Sequence, residues 1–492
     1  MSLQEAIAQE SKNDVVSRQC TRPVQLNSIA ITGGDFTSNY LQKLVAPALD
    51  DKPVSFNELY GVLGGIENKL SNTGLFRDVR ILLDLDNTKR ATSESPIPVK
   101  ANVTLTDLPL FKYSSYTRST DQDVGCGVRY LNPNFSQNAD TLLVDINFNY
   151  DPFDKSVNRK VWDLTYLHPL AKSANGKLLL NPTVATVDAT KWASHKQHVV
   201  GAMLGYQTIM KSSNGGAHVF TAGFTGTMRQ VTDIANSASD VIRTHAGGDL
   251  KLGYLSNWTL DKRAFVGKFH TDGVLVGMTN EFAGHNSVDH QAFQQSQQSQ
   301  TQQNQTQQSQ HIELLPFSKT TVDFAGAKSF FNKNVTVSAD LSAGVLKSFV
   351  EDGADKLHVT DRLFVGGQHS LKGFHRNAVG VKNGNDHIGG TSAFKLGASL
   401  STTLPRTSAS APLRLYTFIN AGDVHNFKNL EEGLSAITSG SIITKAAAAS
   451  GVGLAYKAQN AVLDLSYNVP LTDRAQDDAK PGLSLSVLLN FK

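Results

Sequence analysis

From about residue 110 to its end, this chain alternates apolar and polar residues at period two, segment after segment, with turn signals between the segments. Leu142, Val144, Ile146, Phe148 and Tyr150 alternate with Asp145, Asn147 and Asn149. Trp162, Leu164 and Tyr166 alternate with Asp163 and Thr165, and the odd positions of Val335–Val345 oppose Thr336, Ser338 and Asp340. Leu463, Leu465, Tyr467 and Val469 face away from Asp464, Ser466 and Asn468. Sixteen such segments begin near residues 111, 124, 140, 158, 176, 196, 216, 246, 265, 315, 333, 390, 412, 448, 460 and 482. An even number of antiparallel strands closes on itself with no unpaired edge. Alternation alone fits two solvents: a sandwich in water with a dry interior, or a barrel whose apolar face meets lipid and whose polar face lines a lumen.

Composition bears on that choice in one respect. The 492 residues are 40% hydrophobic and contain no run of 18 apolar residues, so a transmembrane helix is excluded by length. A membrane barrel is not excluded, because its strands spend only alternate residues on lipid. A net charge of +3 without a basic block gives no footprint for nucleic acid. Cys20 and Cys126 are too few for a disulfide framework. The N-terminus has early acids and no apolar core segment, unlike a secretory signal or an Arg-rich presequence. The sequon Asn257-Trp-Thr259 therefore carries no weight.

Ahead of the alternating region, residues 1–22 are polar and unpatterned, which predicts a disordered tail. Val24–Thr32 reads as a strand ended by Gly33-Gly34, and Thr37–Leu49 as a helix. A second helix begins at the capping box Ser55-Phe-Asn-Glu58 and is closed by Gly74. Strands Phe76–Leu85 and Val99–Leu105 follow. Residues 23–108 thus form a small α+β domain ahead of the alternating region, residues 109–492.

Three stretches stand out from the strand pattern. A Gln/Ser-rich insert, residues 285–311, has too little apolar content to fold by itself. A second, residues 349–389, is too long for a hairpin turn and concentrates glycine: Phe364, Gly366 and Gly367, then Leu371, Lys372, Gly373 and Phe374, with Gly389-Gly390 downstream. The third is the last segment, Lys480-Pro-Gly482-Leu-Ser484-Leu485-Ser486-Val487. In the strand Leu413–Ile419, Leu413, Leu415 and Ile419 share one face, while Arg414, Tyr416, Phe418 and Asn420 share the other.

Enzyme signatures are missing. Gly176-Lys177 lacks the spacing of a phosphate-binding loop, and Asn175-Gly176 reads as a hairpin turn. His195 and His198 could share a metal only on a helix, whereas their surroundings read as strand or loop. No Gly-x-Ser-x-Gly elbow occurs. Neither an enzyme nor a cofactor is expected.

Phe364-x-Gly366-Gly367 followed by Leu371-Lys372-Gly373-Phe374 resembles the inward-folded loop of the outer-membrane barrel-assembly superfamily, which includes bacterial BAM and mitochondrial SAM barrels. The strand count makes this the sixth connection on the outer face, where the superfamily carries its motif, and puts the Gln/Ser tract on the fifth. Residues 23–108 resemble the superfamily's polypeptide-transport-associated (POTRA) domain, including Gly74-Leu75-Phe76 and Val79. In the family the loop carries an arginine that pairs with an aspartate in a Phe-x-Asp-x-Gly strand element. Here Lys372 replaces the arginine, and Phe418-Ile-Asn420-Ala-Gly422 has an amide in place of the carboxylate. The expected anchor is therefore a hydrogen bond between Lys372 and Asn420, weaker than a salt bridge.

The C-terminal segment is similar to a mitochondrial β-signal, and one POTRA domain without a signal peptide is similar to the SAM branch. The resemblance implies a sixteen-stranded transmembrane barrel in the mitochondrial outer membrane with its POTRA domain in the intermembrane space. It implies insertion of β-barrel precursors through a lateral seam between the first strand (Phe111, Lys112, Tyr113, Ser114, Ser115) and the last (Gly482, Ser484, Leu485, Ser486, Val487). Implied partners are the precursors, cytosol-facing accessory SAM subunits, intermembrane-space chaperones and the lipid bilayer. A plastid or secretory translocation barrel of the same superfamily, and a passive porin-like channel, are the alternatives.

Overall fold

The computed structural model describes residues 21–34, 37–49, 52–88, 96–108, 112–120, 123–170, 175–212, 216–287, 313–350, 353–427 and 444–491. The expected tail up to Cys20, nearly all of the Gln/Ser tract, and Phe111 lie outside these residues.

In the N-terminal domain, strand β1 (Pro23–Thr32) is followed by helix α1 (Ser38–Val45), a two-residue strand β2 (Val54–Ser55), helix α2 (Phe56–Thr73), and strands β3 (Phe76–Leu85) and β4 (Ile97–Asp107). The sheet order is β2-β1-β4-β3. The central pair β1–β4 is parallel and its neighbours are antiparallel. Helix α2 starts where it does because the Ser55 side chain accepts from the Glu58 amide while Glu58 accepts from the Ser55 amide. It stops at Gly74, which holds φ at 72°. Leu41, Leu44, Leu59, Leu63 and Leu70 pack with Val99 and Val103 in one apolar core. The two-residue strand β2 was not legible, being too short to show a period.

Sixteen antiparallel strands close into a barrel. They are β5 (Lys112–Ser119), β6 (Val124–Asn132), β7 (Thr141–Asp151), β8 (Ser156–Pro169), β9 (Gly176–Asp188), β10 (Lys196–Ser212), β11 (Gly216–Thr232) and β12 (Gly247–Asp261). After a three-residue strand β13 (Ala264–Val266) come β14 (Phe269–Ser287), β15 (Glu313–Phe330) and β16 (Val335–Ser348). A short hairpin, β17 (Lys382–Asn383) with β18 (Asp386–His387), lies in the connection to β19 (Ser392–Thr403). The barrel ends with β20 (Leu413–His425), β21 (Ala447–Lys457), β22 (Ala461–Pro470) and β23 (Gly482–Phe491). One expected start was wrong in detail. The segment near 265 is the separate strand β13, which turns back onto the beginning of β14, so the ninth barrel strand starts at Phe269.

Exposure decides between the two solvents. On β20, Leu415 and Ile419 are 41% and 54% exposed, whereas Arg414 and Asn420 on the opposite face are 0% and 8% exposed. Ser466, Asn468, Ser484 and Ser486 are likewise buried while Leu465, Tyr467, Leu483 and Leu485 are exposed. Apolar side chains face outward and polar ones inward, the inverse of a water-soluble sandwich, as a lipid-facing barrel requires.

Ladder length varies round the barrel. β10 and β11 are partnered at 17 positions, and β22 and β23 at 8. Among the described residues the closing pair, β23 with β5, has 5: residues 487–491 against 115–119, from Val487 opposite Ser119 to Phe491 opposite Ser115. Fewer ladder bonds mean a lower free energy of local opening. Amide exchange in detergent should therefore be faster over 115–119 and 487–491 than over the β10–β11 hairpin. Equal protection would remove the distinction.

Candidate functional site

The connection between β16 and β19 folds into the barrel lumen. The Lys372 backbone sits level with Asn420 on β20. With the Asn420 amide oriented to meet both neighbours, its oxygen accepts from the Lys372 N–H (2.9 Å) and its nitrogen donates to the Ala449 carbonyl on β21 (2.9 Å). The Lys372 ammonium passes beyond Asn420 along the wall. It donates to Asp464 Oδ2 on β22 (2.8 Å) and to the Tyr416 hydroxyl on β20 (2.6 Å). It also lies 4.8 Å and 5.2 Å from the ring centroids of Tyr416 and Phe418, within cation–π range. The Tyr416 hydroxyl itself donates to Asp464.

This corrects the expected Lys372–Asn420 anchor. Asn420 holds the loop's backbone, and the charge is met by a carboxylate two strands further round. A four-carbon stem reaches that far, so Lys372 makes its salt bridge with Asp464 rather than at position 420.

The neighbouring loop residues are packed by the same wall. Gly373 holds φ at 89°, and a Cβ there would stand 2.7 Å from the Ala449 Cβ, so the backbone approach demands glycine. Leu371, Phe374 and Val365 are buried with Val379, Val424, Ala447 and Ala449. Gly422 gives room to Val365 and Leu371, and the Phe364 ring lies against Gly389. Gly366 and Gly367 turn the chain at φ 125° and 100°. The returning limb then bonds to the segment ahead of β23. Lys480 N donates to Gly373 O (2.7 Å), His375 N to Asp478 O (2.9 Å) and Asp478 N to Ala378 O (3.0 Å).

The base of the loop has its own partners on another arc of the wall, separated from β20 by β16 and β19. Asp361 accepts from Arg229 on β11 (2.5 Å) and Lys251 on β12 (2.9 Å), and its carbonyl accepts from Lys319 on β15 (2.9 Å). Arg229 also pairs with Asp249, and Lys251 with Glu281 on β14. Burial acts to raise the Asp361 pKa, but Arg229 and Lys251 outweigh it and hold the carboxyl below its ordinary value. Nearby, burial lowers His245 to about 4 and His358 well below its ordinary value; Arg362 adds to the shift at His245, and Arg229 and His245 to that at His358.

The two seam strands meet less extensively than the sequence suggested. Of the expected residues, Ser115 faces Phe491 and Val487 faces Ser119. Lys112, Tyr113 and Ser114 are in β5, and Gly482, Ser484, Leu485 and Ser486 are in β23, but they lie beyond the register that the described residues share. The strands are offset because β5 is only 8 residues long and turns into β6 before reaching the level of Gly482.

With this architecture in place, comparison with known proteins is informative. The model of the Omp85 superfamily domain matches residues 101–487. The chain belongs to the Omp85 superfamily. Among relatives, a SAM50-like protein of Schizosaccharomyces pombe is 26% identical, with 98% of this chain and 94% of that protein covered. The human sorting and assembly machinery component 50 homolog is 24% identical, covering 86% and 81%. BamA from Haemophilus ducreyi lacking POTRA domains 1–3 shares the fold at a TM-score of 0.67 and 14% identity, covering 95% of this chain and 85% of that one.

Within this Omp85 barrel, several site residues escaped sequence reading. Asp464 was legible as lumen-facing and is the single carboxylate on its strand, a signal that it could meet Lys372. Gly453 gave no signal: the Tyr416 ring lies across it, and a Cβ there would stand 2.5 Å from the ring. His195 and His198 take separate partners, the Ala193 carbonyl and the Thr186 hydroxyl.

Two predictions follow from this geometry. Lys372→Met or Asp464→Asn removes one hydrogen-bonded charge, a loss of about 1.5–3 kcal/mol from loop docking. Protease nicking within residues 353–390 should rise in both variants and in Gly453→Val, which displaces Tyr416. Lys372→Arg alone should be tolerated, whereas Asn420→Asp forfeits the bond to Ala449. Nicking unchanged from wild type in the first two variants would dissolve the anchor.

The second concerns pH. His245 and His358 bind protons less readily folded than unfolded, so between about 6.5 and 4 the unfolded segment holds more protons. Stability of the loop base is therefore full above about 6.5 and lost as pH falls through that window. Exchange protection of residues 357–362, corrected for intrinsic rate, should decline on acidification; a flat profile would contradict it.

Proposed function

We propose that this Omp85 barrel inserts and folds β-barrel precursor proteins into the mitochondrial outer membrane, with strand pairing at the β5–β23 seam as its working step. The observation that carries this reading is the five-position closing register among the described residues, set against 8 to 17 positions in the other barrel-wall pairs from β10 to β23. Hydrocarbon tolerates no unpaired backbone, so a precursor strand needs a partner edge before it can leave water. Opening a short register exposes such an edge at low cost, and the precursor's signal strand adds to β5 by β-augmentation. No covalent chemistry enters the process.

The mitochondrial site of action is supported by the SAM50-like and human relatives, whose names assign them to a sorting and assembly machinery. On this reading residues 23–108 are a POTRA domain in the intermembrane space that receives precursors from chaperones, and cytosol-facing accessory SAM subunits complete the machine. The lumen-filling loop, Phe364, Gly366, Gly367 and Leu371–Phe374, keeps the barrel from acting as a passive channel.

The test is crosslinking in isolated mitochondria. Single cysteines along residues 112–119, with Cys20 and Cys126 replaced, should form disulfides with a cysteine in an arrested precursor's signal strand. Cysteines along β16 should not. Equal yields at both strands would mean that lateral insertion is not how this barrel works.

A further inference from the structure

We infer that Asp361 is a second anchor of the inward loop, a positioning residue that keeps the lumen closed independently of Lys372. The inference rests on the proposed role of the loop and comes from counting charges on the wall it docks against. β11, β12, β14 and β15 bring three cations together, Arg229, Lys251 and Lys319, but only two carboxylates from these strands join the network, Asp249 and Glu281. The third carboxylate is Asp361, supplied by the loop, and its side chain and that of Arg229 are each 3% exposed. Taken away, Asp361 leaves an unmatched cation in a buried network, the costly case for a buried ion pair. The wall is thus complementary to the docked loop and mismatched without it.

Position makes this anchor independent. Arg229 lies near the end of β11, and Lys319, in the starting half of β15, faces Leu346 near the end of β16, so both lie toward the rim where the loop leaves β16; Tyr416 and Asp464 lie near the starts of β20 and β22, toward the opposite rim. The two anchors also sit on separate arcs of the wall, β11–β15 and β20–β22. Releasing either leaves the loop tethered by the other. The Asp361 anchor holds the first limb, so its loss should let residues 353–363 swing away from their wall while Lys372 stays bound.

The experiment uses the purified full-length chain in planar lipid bilayers, with Asp361→Asn, Asp361→Glu and Lys251→Met compared with wild type. Heat-modifiable migration on gels confirms that each variant is a closed barrel. Asp361→Asn keeps the volume and loses the charge, and should raise the open-to-closed ratio of the pore roughly tenfold or more, the loss expected for one hydrogen-bonded charge. Asp361→Glu should stay near wild type, because the charge is retained. Lys251→Met, altered on the wall rather than the loop, should open the pore to a smaller extent. Asp361→Asn as closed as wild type would overturn the inference, as would Asp361→Glu as open as Asp361→Asn, which would mark a packing role. Conductance needs no precursor, so this outcome is separable from precursor assembly, which is measured in parallel with a radiolabelled porin.

Discussion

A backbone in hydrocarbon must find all its hydrogen bonds within the protein, and every main feature of this structure follows from that constraint. It dictates a closed barrel, because any open sheet would leave two edges in lipid. Closure has one place where sequence-distant strands must meet, and here that place is β23 against β5. The register there is five positions long because β5 is short and β23 begins at a level that β5 does not reach. A passive pore gains nothing from a weak closing pair. In a barrel that handles other strands, the same pair is where an incoming edge can be accepted with the least loss.

On the proposed reading the lumen answers a second problem, how a wide barrel stays shut while its closing register is short. The loop between β16 and β19 fills it and is fastened by charge at two levels and by main-chain bonds to residues 478–480. Those last bonds tie the loop to the segment that starts β23. The last strand is therefore held on one side by β22 and at its start by the loop's main chain, while the loop reaches the turn after the first strand through the Arg376–Asp123 ion pair (3.8 Å). The loop thus touches both sides of the seam, by main-chain bonds ahead of β23 and by a side-chain ion pair just past β5.

Much of this was legible in the sequence, and the reason is periodicity. Lipid outside and water or protein inside impose alternation on every strand, so strand starts could be placed within a few residues, including those of β20, β22 and β23. Glycines with positive φ marked the loop, since Gly366, Gly367 and Gly373 occupy backbone states other residues avoid. What alternation cannot convey is which lumen-facing residue meets which. Asn420 and Asp464 were both read as inward-facing, but their levels relative to Lys372 depend on register and stem length. The partners of Asp361 come from strands more than 100 residues earlier and from Lys319, a separation that no local pattern encodes. The strand β13 was misread because a tight hairpin extension continues the alternation of the strand it folds against.

A lysine in the loop sets different demands on the wall than an arginine would. An arginine fork needs a carboxylate at a fixed geometry close by, which suits an aspartate at the level of position 420. A lysine presents a point charge on a flexible stem and can select a carboxylate further along the wall. Asp464 lies at that distance, with the faces of Tyr416 and Phe418 completing the cradle. Position 420 is then free to carry an amide, which both donates and accepts, and so can bridge the Lys372 N–H and the Ala449 carbonyl. A carboxylate could accept from the first but not donate to the second. Asn420 therefore holds the loop's backbone rather than its charge, and the chemistry of an amide fits that task better than that of an acid.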